Sequence, residues 1–227
     1  MEKDAFNDGL LEFLSAACTP FHATAALARR LTGAGFRDLG ASDDWELAPG
    51  TGGFLRQGGS LIALRAGAAP LPEAGLRMVG AHTDSPCLMV KPTPEIDAPD
   101  YQQLGVQVYG GALLNPWFDR DLSLAGRVSY ATAEGAVATA LVDFREPVAV
   151  VPSLAIHLDR EANKSRTVNP QTDMAALLGL KQDDTPTLRE RLAQRLRADG
   201  EDVDEVLDFE LCFYDSQPPA RVGIDGE

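Results

Sequence analysis

Histidine and cysteine are scarce in this 227-residue chain, three of each. Cys18, Cys87 and Cys212 are odd in number, far apart and without a CxxC spacing. That pattern implies neither a disulfide framework nor a cysteine-built zinc site, and reduced thiols are the reading taken. Basic residues are also few: 20 Lys and Arg against 34 Asp and Glu give a net charge of -14. A phosphate backbone is repelled by that balance, so no nucleic-acid partner is expected. No apolar run approaches the roughly 18 residues of a membrane span, and no membrane partner is expected. Met1-Glu2-Lys3-Asp4 opens with neither a basic n-region nor an apolar h-region. No secretory signal is read there, and the cytoplasm is the expected location. No GxGxxG follows a strand, and neither GxxxxGK[ST] nor GxSxG occurs. Nucleotide binding and serine-hydrolase chemistry therefore lack support.

What the chain does have is an ordinary globular composition, 44% hydrophobic and 24% charged. Its length allows one large or two modest domains. "FNDGLLEFLSAA" (6–17) sets Phe6, Leu10, Leu11 and Leu14 at helical spacing. Thr19-Pro20 ends that helix, and "ATAALARRLTGAG" predicts a second, closed by Gly33 and Gly35. "GGFLRQ" and "SLIALRAG", separated by Gly58-Gly59, predict a hairpin, and "LRMVGAH" predicts a third strand. "KPTPEIDAPD" then reads as a Pro- and Asp-rich connector. Beyond it, "LGVQVYGG", "AGRVSYAT", "AVATALVDF" and "VAVVPSLAIHL" are short, turn-bounded strand candidates that predict a largely β second domain. Residues 163–185 read as a long polar loop that includes Asn163, Lys164, Ser165 and Arg166. "TPTLRERLAQRLRADG" predicts an amphipathic helix, with Thr185 or Thr187 as N-cap and Gly200 past the last turn. "VLDFELCFYD" predicts a last strand, and "ARVGIDGE" reads either as an interrupted fold or as a polar tail.

The sharpest chemical signal is "GAHTDSPCLMVKP" (80–92), where an apolar run delivers His82 and then Asp84. A histidine at the C-terminal end of a strand sits where open α/β sheets bind ligands. Neutral imidazole is a good zinc ligand, and a nearby carboxylate can accept the other ring N–H and fix the tautomer. In HxD the two residues alternate along an extended chain and can share a side. The alternative is a surface histidine beside a turn aspartate. In "GGALLNPWFDRDLSLAGR" (110–127), Trp117 and Phe118 are packing anchors and Asp119, Arg120 and Asp121 invite an ion-pair network. Arg120 reads either as a carboxylate-binding group for an acidic substrate or as a structural salt bridge. His157, after Leu154-Ala155-Ile156, reads by itself as a hydrogen-bonded structural residue. Lys91 reads either as a counter-charge for a substrate carboxylate or as a solvated charge. His22 has no functional reading.

Together these stretches resemble the M18 metalloaminopeptidases, the aspartyl aminopeptidases. The resemblance is carried by "TPFHATA" (19–25), "GAHTDSPCLMVKP" (80–92), "YGGALLNPWFDRDLSLAGRV" (109–128), "PSLAIHLDREAN" (152–163) and "LCFYDSQPP" (211–219). Within the bacteria the chain is similar to the M18 family aminopeptidase 2 group. The resemblance implies an α/β zinc-peptidase catalytic domain of phosphorylase/hydrolase-like fold, with a β-rich dimerisation domain inserted. On this chain that assigns 1–92 to the catalytic domain, 93–205 to the insert and 206–227 to the return. It implies two Zn2+ ions, with Mn2+ or Co2+ as alternatives, and a peptide substrate with a free N-terminus, often Asp or Glu. It also implies a homo-oligomer, a tetrahedral dodecamer. His82 falls on the first metal-ligand histidine and Asp84 on the aspartate that orients it. His157 falls on a histidine of the dimerisation domain that reaches a neighbouring subunit's site and holds the substrate carbonyl. An alternative makes His157 a metal ligand beside His82. In the mechanism so implied, the metals polarise the scissile carbonyl and acidify a bridging water, and a carboxylate takes its proton.

The departure from the family is length: members run to roughly twice this chain. The bridging aspartate, a Glu-Glu pair, a further aspartate and a last histidine are expected in the remainder. No [FD]xxEE pair occurs here, and Arg189-Glu190 and Asp204-Glu205 lie on the wrong elements. The expectation is an N-terminal half that is inactive alone. The alternative is a non-catalytic assembly or regulatory module of an M18-like oligomer. Another cocatalytic hydrolase, a deacylase or carboxypeptidase, would share HxD but not the "WFDRDLSLAGR" stretch.

Overall fold

The computed structural model describes residues 3–42 and 44–226. Met1 and Glu2, part of the opening read for a leader, and Glu227, the end of "GIDGE", lie outside the described residues. The chain divides into two compact units, 1–85 with 219–227, and 86–218. No helix of the described residues is long and apolar enough to cross a membrane.

The first unit carries helices α1 (Lys3–Ala16) and α2 (Pro20–Gly33), strands β1 (Arg37–Asp38), β2 (Gly52–Gln57) and β3 (Ser60–Arg65), and the short α3 (Leu71–Ala74). Thr19 caps α2, its hydroxyl accepting from the His22 N–H at 3.3 Å, and Pro20 supplies the preset φ of a first turn. β2 and β3 form the expected hairpin through Gly58, whose φ of 56° suits a residue without Cβ. Thr24 is buried, and its hydroxyl donates to Gly58 O at 3.0 Å, tying α2 to that turn. Phe54 and Leu39 fill the space beneath β2, where a Cβ on Gly53 would lie 2.6 Å from Leu39.

The predicted strand "LRMVGAH" is not one. Residues 75–86 have neither helix nor strand, and Met78 and Val79 are 82% and 101% exposed. A β-type run needs a neighbour to accept its backbone hydrogen bonds. Among the described residues the sheet of this unit ends with β1, β2 and β3.

The second unit is built on a six-stranded antiparallel sheet, in the order β7-β6-β9-β4-β5-β8. Its strands are β4 (Cys87–Ile96), β5 (Tyr101–Tyr109), β6 (Leu122–Ala131), β7 (Val137–Asp143), β8 (Ala176–Leu180) and β9 (Glu205–Asp215). Helix α4 (Leu188–Ala198) buries Leu188, Leu192, Ala193 and Leu196 at helical spacing. Thr187 is its N-cap, in a capping box with Glu190. The core runs from Leu88 and Val90 through Leu104, Leu122 and Leu124 to Leu211 and Phe213.

Three sequence readings are corrected here. The connector over 91–100 is largely strand, since β4 continues to Ile96. The two prolines of β4, Pro92 and Pro94, fall inside a register shift between Val90 and Glu95, where missing N–H donors cost no ladder bond. The polar loop 163–185 contains β8, a five-residue edge strand too short to announce itself against its surroundings. "VAVVPSLAIHL" is not a continuous strand: it makes isolated bridges at 149–151 and then turns at 156–158.

Candidate metal centre

His82 and Asp84 sit in the irregular segment of the first unit. Their position is set by Thr83 between them, whose hydroxyl donates to Gly59 O in the hairpin turn at 2.6 Å. The His82 Nδ1 lies 2.7 Å from the backbone oxygen of Asp84 and 3.5 Å from its carboxylate Oδ1. With the proton on Nδ1, the ring donates to that carbonyl and leaves Nε2 for a metal. The nearer partner is the peptide oxygen, whereas the sequence directs attention to the carboxylate. The His82 side chain is 78% exposed, so the ring is presented to solvent.

A catalytic zinc takes three protein donors and keeps a fourth position open. Among the described residues no three His, Cys, Asp or Glu side chains come together to hold a metal ion.

The second unit contains the other sequence candidates. His157 is exposed, in a turn where the Leu158 N–H donates to Ala155 O at 2.8 Å. It belongs to a different unit from His82. Arg120 is committed to structure: Nη1 pairs with Asp215 at 2.9 Å and Nε donates to Pro116 O at 3.2 Å. The Lys91 ammonium donates to Gln171 Oε1 at 3.1 Å. Asp121 receives Ser216 through its backbone oxygen, at 2.7 Å from the hydroxyl.

Sequence reasoning missed a lock in this unit that joins the WFD stretch to the loop carrying His157. Asp119 takes a left-handed φ of 59°, and its Oδ1 accepts the Ser153 N–H at 2.8 Å. The backbone and side-chain hydrogen bonds from Ser153, helped by the Arg166 charge, hold its carboxyl below the usual carboxylate range. The Arg166 guanidinium lies 3.9 Å from the Phe118 ring centroid and 3.6 Å from the Asp159 carboxylate. The available signal was an aromatic beside an acid at one end of a loop and a lone arginine at the other. Sequence spacing does not pair them.

A histidine with its Nδ1 held against a peptide oxygen, on a mixed α/β chain with a separate antiparallel β unit, is the frame in which the comparisons with known proteins stand. The family model described as "Aminopeptidase I zinc metalloprotease (M18)" matches residues 13–227, and the chain belongs to the M18 family. The "Probable M18 family aminopeptidase 2" of Stutzerimonas stutzeri (strain A1501) is 50% identical over 228 residues, covering 99% of this chain and 53% of that protein. A chain in the cryo-EM structure of the Ape4 and Nbr1 complex superposes with a TM-score of 0.87 at 35% identity, over 96% of this chain and 45% of its own length. Chaetomium thermophilum mApe1 gives 0.86 at 32% identity, over 100% of this chain and 54% of its own. The chain therefore spans about half the length of the curated relatives it matches.

Proposed function

We propose that this chain is the half of an M18 metalloaminopeptidase that provides the first metal ligand and the assembly domain. The observation that carries the reading is His82, held through Nδ1 with Nε2 left over, in a chain 50% identical to a probable M18 family aminopeptidase 2 over 99% of this chain and 53% of that protein. In the complete enzyme, His82 is a ligand of a dinuclear zinc site and Asp84 positions it. The other ligands and the general base come from the part of the relatives' length that this chain does not span. The activity is removal of N-terminal residues, Asp and Glu preferred, from peptides in the cytoplasm. The second unit is an inserted dimerisation domain of a homo-oligomer, and His157 contributes to substrate binding in a neighbouring subunit.

Release of N-terminal Asp or Glu from short peptides tests this. The chain is assayed with zinc or manganese, alone and after addition of the remaining half of the Stutzerimonas relative. No turnover alone and metal-dependent turnover in the mixture is the expected result. Turnover by the chain alone would place a full ligand set within these 227 residues and overturn the half-site reading. A mixture that associates but never turns over would favour the assembly-module alternative.

A further inference from the structure

We infer that Cys87, Met89 and Cys212 form a binding site for a soft monovalent metal ion, copper(I), on the face of the six-stranded sheet turned away from α4. The site lies wholly in the second unit and does not rest on the aminopeptidase reading.

Strand register sets the three residues side by side. β4 and β9 share two rungs, Leu88↔Phe213 and Met89↔Cys212. Leu88 and Phe213 are 0% and 1% exposed and belong to the core cluster that contains Leu188, Leu192 and Leu196 of α4. Side chains alternate along a strand, so Cys87, Met89 and Cys212 take the other face. Cys212 is buried and lies outside that cluster, while Cys87 and Met89 are half-buried. An ion can reach such a site from solvent and still be held in partly dry surroundings. Ala125 faces Cys212 from β6, so only a methyl group crowds the thiol on that side. Ser123, the next residue on this face of β6, is fully buried, and its hydroxyl has no hydrogen-bond partner among the described residues. An orphaned buried polar atom in a native structure calls for an explanation such as an ion nearby.

Distance decides what the two cysteines can do. Both are thiols, not joined in a disulfide. Met89 stands directly across from Cys212, which puts their Cβ atoms about 5 Å apart, and Cys87 lies on the diagonal, at about 7 Å. A disulfide requires Cβ atoms about 3.8 Å apart, so a bridge would break the two-rung ladder. Two sulfurs on one metal, each about 2.3 Å from it, stand up to about 4.6 Å apart. The two Cβ–S bonds add enough reach to span the diagonal. The unbranched Met89 side chain supplies the third sulfur. No third His, Cys, Asp or Glu joins the pair among the described residues, which leaves structural zinc short of its four ligands. Two thiolates and a thioether are instead the soft donors that select copper(I). Binding exchanges two S–H bonds for two copper–sulfur bonds, and the Met89 thioether donates a lone pair. The two protons go to solvent, and copper stays in its +1 state.

Titration of the reduced, oxygen-free chain with copper(I) against a chromogenic copper(I) chelator tests this. One copper per chain is expected, with a first shell of sulfur alone at about 2.3 Å by X-ray absorption. Affinity should rise by up to about a hundredfold per pH unit below the thiol pKa, since two protons leave. Cys87→Ser and Cys212→Ser should each weaken binding by about a hundredfold or more, and Met89→Leu by about tenfold. Cys212 is buried, so its variant is first checked for an intact melting transition. Met89→Leu conserves volume and keeps the fold, so its effect is readable whatever Cys212→Ser does. Cys18→Ser, in the first unit, should bind copper like the parent. The inference fails if binding is lost with Cys18, if nitrogen or oxygen neighbours enter the shell, or if two chains share one ion. It fails too if Met89→Leu binds like the parent, or if the chelator keeps all the copper.

Discussion

The two units of this chain spend similar apolar sequence in opposite ways. In the second, Leu88, Leu104, Leu122, Leu211 and Phe213 are sealed in one cluster under α4, each at most 1% exposed. In the first, the buried apolar side chains among the described residues are Ala23, Ala26, Leu39 and Phe54. Phe6, Leu10 and Leu14, one stripe of α1, stay about half exposed, and Leu76, Met78 and Val79 more so. An antiparallel sheet with one helix laid on it closes its own core from a continuous stretch of chain. The first unit has a two-strand hairpin and a two-residue parallel strand, which bury too little for the helices beside them. The difference teaches that burial follows sheet size: six paired strands with a helix enclose a core that three short strands do not.

The comparison is broken most forcefully through Phe213, in the centre of the finished core. Phe213→Ala should cost the second unit about 3–5 kcal/mol in urea unfolding, transfer and cavity terms combined. Phe54→Ala removes an equally buried ring from the first unit, but its sparser surroundings can collapse into the gap. The loss there should be nearer 3 kcal/mol, at the low end for this substitution. Equal losses would mean the first unit packs as tightly as the second, and the contrast would go.

Gly126 sharpens the same point at backbone level. A Cβ built there would lie 1.9 Å from Glu210 O across the β6–β9 ladder. Gly126→Ala should push the strands apart and cost about 1–3 kcal/mol in the same assay. A neutral result would show that β6 and β9 can separate freely, against the packing of the cluster.

Much of this was legible in the sequence, and the failures share a cause. Gly58-Gly59 announced its hairpin, and Thr187 with Glu190 and the Leu188-Leu192-Leu196 spacing announced α4, because those signals are local. β4 was hidden because Pro92 and Pro94 argue for a connector unless the bulge that tolerates them is known. β8 was hidden because its partner β5 lies some 70 residues away. At the candidate site, His82 and Asp84 stood out by spacing alone. The Asp84 carbonyl as the nearer partner of the ring did not, and neither did the Arg166–Phe118 contact, since both depend on backbone paths that spacing does not encode. The run at 76–79 has the composition of a strand but pairs with none among the described residues, and a local signal cannot report pairing.

Alkaline pH should distinguish the units next. Tyr130 is buried in the second unit and donates to Glu201 at 2.5 Å. That bond to a carboxylate, with burial, pushes its pKa from the ordinary 10.0 up to about 12. The folded state thus keeps a proton the unfolded state gives up. The stabilisation is whole below pH 10 and disappears as pH rises to about 12, on the order of 2 kcal/mol. Unfolding followed from pH 9 to 12 should show this loss in the second unit, and Tyr130→Phe should flatten it. A slope that persists in Tyr130→Phe assigns it to another group. A smaller effect is expected at the Thr19 cap of the first unit, where Thr19→Ala should cost about 1 kcal/mol.

The smallest expected effect is the most informative about the first unit. Ile224 is fully exposed, at 103%, so Ile224→Ser removes nothing that the isolated chain buries. Its unfolding free energy should change by less than about 0.5 kcal/mol, the range of surface substitutions. A loss above about 1 kcal/mol would mean that Ile224 packs within the folded chain, against its full exposure.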